Sequence, residues 1–170
     1  MSGELEHRVE LALARLHQSL STAINADQAC WAVAEHAIAL LGLEDCVVYL
    51  LQSDGVSLLQ QAAWGPKRQR HGQVRDPLVL HVSEGIVGAC ARTRRTQWVP
   101  DVLADPRYIA DDATRRSELA VPILVGEHLL GVLDSEHAQP DFFTATHAHA
   151  FVQIAELLAA HLPRILAASP

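Results

Sequence analysis

Two apolar, β-rich runs, Ser117 to Val125 and Leu129 to Glu136, are separated only by Gly126-Glu127-His128. So short a connection joins antiparallel strands, because a parallel return needs a crossover of a dozen residues or more. The two runs therefore form an antiparallel hairpin, the strongest strand pair in the chain. Its register depends on the connection. If all three residues form the loop, Ala120 faces Asp134 and Glu118 faces Glu136, and three carboxylates share one face. The other face then carries Leu119, Val121, Ile123, Val125, Leu129 and Leu133. A two-residue loop separates Glu118 from Asp134 instead.

The flanks read as helices. Leu5, Val9, Leu13, Leu16 and Leu20 recur at steps of three and four with charges between them, which predicts an amphipathic helix over 4–20. Its narrow stripe suits either its own domain or a seam with a second copy. Asp27 offers an N-cap to a helix over 28–41, which Gly42 stops. A long helix over 144–167 sets Phe151, Ile154, Leu158 and Leu162 on one face, with Pro163 bending its last turns. Between them, Cys46 to Leu51 and Leu58 to Trp64 flank the turn Ser53-Asp54-Gly55 as a hairpin. A loop over 65–76, a strand over 78–82, a short helix over 86–93 and a short strand at Trp98-Val99 follow. Gly85 and Gly88 permit close backbone approach at that short helix. The order is that of an α+β domain with one mainly antiparallel sheet.

With 170 residues, 49% of them apolar, the chain buries a core without needing disulfides or a structural metal. Cys30, Cys46 and Cys90 are widely spaced and have no CxxC pattern, which points to a reduced, cytoplasmic compartment. The acidic start is no secretory signal, and charges break the longest apolar runs, so no membrane partner is expected. A net charge of −7 argues against a nucleic-acid partner. That charge is unevenly spread: residues 67–116 hold ten basic and six acidic side chains, and the remainder is strongly acidic. The basic stretch is either a solvated face or an anion-attracting region.

Four segments stand in a telling order: Ser83-Glu84-Gly85-Ile86-Val87-Gly88, Asp101 through Asp105-Pro106-Arg107-Tyr108, Ser117-Glu118-Leu119-Ala120-Val121-Pro122-Ile123, and Gly131-Val132-Leu133-Asp134. Together they resemble the GAF domain family over roughly 22–162, preceded by the helix within 1–21 and followed by a tail, 163–170. The resemblance implies a six-stranded mainly antiparallel sheet, terminal helices on one face and a ligand pocket on the other. Residues 67–116 correspond to the pocket's roof, which favours a polar or anionic ligand. It also implies a homodimer through the terminal helices and small-molecule sensing in signal transduction, with a signalling protein as further partner.

The catalytic relatives implied by the resemblance are the free methionine-R-sulfoxide reductases. Their chemistry needs a thiolate to attack the sulfoxide sulfur and a second thiol to resolve the sulfenic acid. Laid on their pattern, the two cysteine positions fall on Val87 and Asp111, so both thiols are missing. Cys90 lies almost one helical turn past Val87. The expectation is a non-enzymatic module; the alternatives are a reductase with displaced cysteines working through Cys90, or a ligand-free structural adaptor. Glu118, Asp134 and Glu136 match the relatives' carboxylates. With Trp98, Tyr108 and Arg115 they are the expected ligand-binding residues, and Trp64 is a further candidate wall. The acids suit either a ligand ammonium group or a salt bridge to the Arg115-Arg116 turn. No cofactor and no metal are expected: His147 and His149, two apart, point about 200° from each other on a helix. The cysteine-histidine pair of bilin-binding relatives and the Asn-Lys pair of the cyclic-nucleotide subset are both missing from the chain.

Overall fold

Alternation along the strands sorts the molecule into two layers. In β1 (Cys46–Leu51), Val48 and Leu50 join one apolar core while Val47 and Tyr49 join a second one on the opposite face. The computed structural model describes residues 2–69, 72–111 and 114–168. Its remaining strands are β2 (Ser57–Trp64), β3 (Val79–His81), β4 (Gln97–Val99), β5 (Ser117–Val125) and β6 (His128–His137). They form one six-stranded sheet in the order β3-β2-β1-β6-β5-β4, with every neighbouring pair antiparallel. The hairpin that the sequence predicts between Ser117 and Glu136 is the β5–β6 pair.

Three helices cover the first face: α1 (Ser2–Thr22), α2 (Ala26–Leu41) and α4 (Ala145–Ala168). Leu16, Leu20, Val33, Phe151, Ile154, Leu158 and Leu162 from these helices pack on Val48, Leu119, Val121 and Leu133 of the sheet. Helix α4 is long and apolar enough to cross a membrane by length and composition; Phe151, Ile154, Leu158 and Leu162 pack into this core, while Leu166 is half exposed. Pro163 is accommodated inside it. Helix α2 starts earlier than the sequence suggests, because Asn25 rather than Asp27 provides the cap. The Gln28 amide donates to Asn25 Oδ1 at 2.8 Å, and Gln28 Oε1 accepts from the Ile24 amide at 3.2 Å, a reciprocal capping box.

The second face carries α3 (Gly85–Thr93) and a 3-10 turn, Val102–Ala104. Ile86, Val87 and Cys90 of α3 pack on Tyr49, Leu58, Leu80, Ala120 and Val132. Helix and strand approach closely because Gly88 has no side chain; a Cβ there would meet the His81 carbonyl at 2.8 Å. Gly131 plays the same part in the sheet, where a Cβ would run into the Tyr49 carbonyl.

Candidate functional site

The site grows out of the β5–β6 register. Leu119 and Leu133 are fully buried against the helices, so their neighbours Glu118 and Asp134 must point to the opposite face. Glu118 pairs with Glu136 and Ala120 with Asp134, which brings the three carboxylates together. The register arises in a way that neither simple loop anticipates. The turn has only two residues, since Val125 pairs with His128, but a bulge between Ile123 and Leu124 inserts one extra residue on β6. Turn and bulge together reproduce the register of a three-residue loop. The bulge also moves Leu129 off the helix-side face, where alternation alone put it, to pack with the pocket-side core.

Glu118 and Asp134 are each 4% exposed, and Asp134 Oδ1 and Glu136 Oε1 are buried without a hydrogen-bond partner. Burial disfavours their charged forms, and the acids repel one another once ionised. Glu118 is pushed up to about 8 and Glu136 to about 9, each first by desolvation and then by neighbouring charges. Asp134 is raised well above the usual carboxylate range by burial and by Glu118 and Glu136. At neutral pH the cluster is thus rich in protons, and among the described residues none of its acids has an ion pair; the charges of Arg107 and Arg115 only partly offset the rise. The Tyr108 hydroxyl is buried beside Glu136 and interacts with its carboxyl, although no described residue meets strict hydrogen-bond geometry with it.

These acids floor a cavity of about 20 Å³, whose walls include Tyr49, Ile86, Val87, Ile109 and Asp111. As it stands, it has room for about one water molecule. At its rim lies a buried polar network. Lys67 Nζ donates to Asp111 Oδ1 at 3.0 Å and to the Asp76 carbonyl at 2.8 Å. Gln60 Nε2 donates to Asp111 Oδ2 at 2.9 Å and to the Tyr49 hydroxyl at 3.0 Å. Only two of its members stand out in the sequence, Lys67 as the sole lysine and Asp111 as the residue at one of the reductases' cysteine positions.

The other expected site residues are placed elsewhere. Arg115 is buried and pairs with Glu44 Oε2 at 2.9 Å and Asp45 Oδ2 at 3.0 Å. Arg116 pairs with Asp101 at 2.8 Å. Among the described residues neither arginine forms an ion pair with the three acids, although the charge of Arg115 reaches Glu136 and partly offsets the rise of its carboxyl. Trp98 is 44% exposed on β4 and does not line the cavity. Trp64 packs with the helix-side core, and the Arg68 guanidinium stacks over its ring 3.6 Å away.

Of the three cysteines, Cys30 and Cys46 are in the helix-side core and only Cys90 is in the pocket-side core. Cys90 is fully buried; desolvation first, then the charges of Asp134 and Glu118, hold its thiol protonated. Among the described residues, no set of three His, Cys, Asp or Glu side chains is arranged to hold a metal ion.

The sequence profile of the family described as "GAF domain" matches residues 23–162. The chain is 32% identical over 81 residues to the free methionine-R-sulfoxide reductase of Saccharomyces cerevisiae, a match covering 47% of this chain and 45% of that protein. It is 30% identical over 119 residues to the Escherichia coli protein of the same name, covering 70% of this chain and 64% of that protein. The chain thus spans less than two thirds of the length of either relative. A Neisseria meningitidis free methionine-R-sulfoxide reductase, solved with its substrate, superposes with a TM-score of 0.83 at 20% identity, covering 95% of this chain and 92% of that one. A likeness at that identity bears on the fold alone. The two sequence relatives bear on more: they overturn the expectation of a non-enzymatic module. That expectation rested on Val87 and Asp111 standing at two cysteine positions, and segments this similar are named as parts of enzymes.

Proposed function

We propose that this chain, which belongs to the GAF domain family, is a reductase of the free methionine-R-sulfoxide type, acting on a small free amino acid with an oxidised sulfur. The observation that carries the reading is the convergence of Glu118, Asp134 and Glu136 on the floor of one cavity, with no ion pair to any of them among the described residues. Such a cluster suits this substrate twice over. A ligand ammonium group relieves the repulsion among acids that are otherwise kept protonated. A carboxyl group that still holds its proton near pH 7, as Glu118 and Glu136 do, can donate it to a sulfoxide oxygen.

The reducing sulfur in this reading is Cys90. Its sulfur attacks the sulfoxide sulfur, the S–O bond breaks, and the oxygen ends on Cys90 as a sulfenic acid while the thioether leaves. Two equivalents of an external thiol then return Cys90 to the thiol, giving one disulfide and one water. Val87 lines the cavity and Cys90 does not, and burial holds the Cys90 thiol protonated, so the step requires α3 to shift outward until the sulfur both reaches the cavity and loses its proton. Turnover should therefore be slow.

The test is to incubate the protein with free methionine-R-sulfoxide and a dithiol reductant and to quantify methionine. Methionine formation that is lost in Cys90→Ala and kept in Cys30→Ala supports the reading. No methionine from folded protein, or turnover indifferent to Cys90→Ala, overturns it.

A further inference from the structure

Besides the three acids the cavity wall holds a fourth, Asp111, and this one has a buried cation as its partner. Lys67, with its side chain 8% exposed, and Gln60, 3% exposed, each hold one oxygen of the Asp111 carboxylate. Their donors are fixed independently of Asp111. The Gln60 amide is oriented by the Leu78 N–H donating to its oxygen at 2.8 Å and by the Tyr49 hydroxyl. Lys67 is tied to the Asp76 carbonyl, and its own carbonyl accepts from Arg75 N at 2.7 Å. Tyr49 and Gln60 belong to neighbouring strands of the sheet. Asp111, by contrast, lies in irregular backbone, in the stretch between the 3-10 turn and β5, and its carboxylate forms part of the cavity wall.

We infer that Lys67, Gln60 and Tyr49 constitute a carboxylate-binding subsite, which Asp111 fills in the ligand-free protein and which the α-carboxylate of an amino-acid ligand takes over. A cradle of buried donors that are held by their own partners keeps its shape when its occupant leaves. An ammonium group left buried without a counter-ion is strongly unfavourable, so withdrawal of Asp111 calls in another carboxylate. The cavity is far too small for an amino acid while Asp111 occupies its wall. Its withdrawal opens space and frees the cation at once. The acids of the cavity floor and the freed ammonium group of Lys67 together complement a zwitterion. The inference rests on the proposed reductase reading only for the identity of that ligand; the subsite itself does not depend on it.

The subsite is tested without any substrate by thermal melting of Asp111→Ala in sodium acetate against sodium chloride at equal ionic strength. The variant should melt below the parent protein, acetate should restore part of the loss where chloride does not, and adding Lys67→Met should abolish the rescue. Asp111→Asn, which keeps the side-chain volume, serves in the same comparison if the alanine variant does not fold. Acetate acting no better than chloride overturns the subsite.

A second arm compares binding of methionine sulfoxide with that of its α-carboxamide. The free acid should bind about tenfold more tightly in the parent protein, a preference lost in Lys67→Met. Equal binding of acid and amide overturns the takeover of the subsite by the ligand. Acetate rescue with no binding of either compound leaves the subsite standing and removes the reductase reading.

Discussion

Asp45 and Asp134 are almost equally buried, at 5% and 4% exposure, and the protein treats them in opposite ways. Asp45 Oδ1 accepts from the Glu136 N–H at 2.7 Å, and its Oδ2 accepts from the Arg115 guanidinium at 3.0 Å. Asp134 has Glu118 and Glu136 for neighbours and leaves Oδ1 with no donor. The first arrangement is what a buried acid needs in order to serve the fold. The second lowers stability unless something arrives from outside, and for that reason it marks where a ligand belongs.

The contrast breaks most clearly at Arg115. Arg115→Met leaves Asp45 buried and unpaired and should cost about 3–5 kcal/mol in urea unfolding at pH 7. A cost below about 1 kcal/mol would show that Asp45 is relieved in some other way and that the two acids are not opposites.

The reverse change is expected at Asp134. Asp134→Asn removes a charge that the fold does not neutralise, and it should raise stability by about 1–2 kcal/mol at pH 9 while weakening binding of an amino-acid ligand. Loss of stability together with unchanged binding would assign Asp134 to the fold.

The pH dependence sharpens the same point. Glu118 and Glu136 start near 4.5 in the unfolded chain and rise to about 8 and about 9 when folded. An acid that holds its proton more tightly when folded contributes stability at low pH, and that contribution is lost as pH climbs from the unfolded value through the folded one. Unfolding free energy should therefore decline between about pH 5 and pH 9, and Glu118→Gln should flatten the slope. Ligand binding should follow the opposite course. Affinity for an ammonium-bearing ligand, read by calorimetry, should strengthen from pH 6 to pH 8 as the acids ionise, with protons released on binding. Affinity independent of pH would remove the acids from ammonium recognition.

The smallest effect is expected where an acid is paired but wet. Arg107 holds Asp105 at 2.6 Å with 41% of its own side chain exposed. Arg107→Ala should cost about 0.5 kcal/mol or less, since solvent screens such pairs.

Much of the fold could be read from local pattern. The stripe from Leu5 to Leu20 and the one through Phe151 and Leu162 announce helices, and the alternation through Leu119, Val121 and Leu133 announces a sheet face. Part of the site was legible for the same reason, because a period of two places Glu118, Asp134 and Glu136 opposite those leucines once the register is known. The capping residue was misjudged because Asn25 and Asp27 are equally suited by type, and only the Gln28 contact separates them. The direction of Arg115 depends on Glu44 and Asp45, about seventy positions away in sequence, and no local signal reports a pairing that distant.

The sequence by itself determined which residues alternate, which recur with a helical period and which stand in the family's order, because these depend on neighbours a few positions apart. Tertiary structure alone decided that a two-residue turn and a bulge would add up to the register that gathers three acids. It also decided that one arginine would neutralise Asp45 and not Asp134, and that Lys67 and Gln60 would grip Asp111. Each of those outcomes depends on distances between distant segments, and such distances exist only once the sheet has closed.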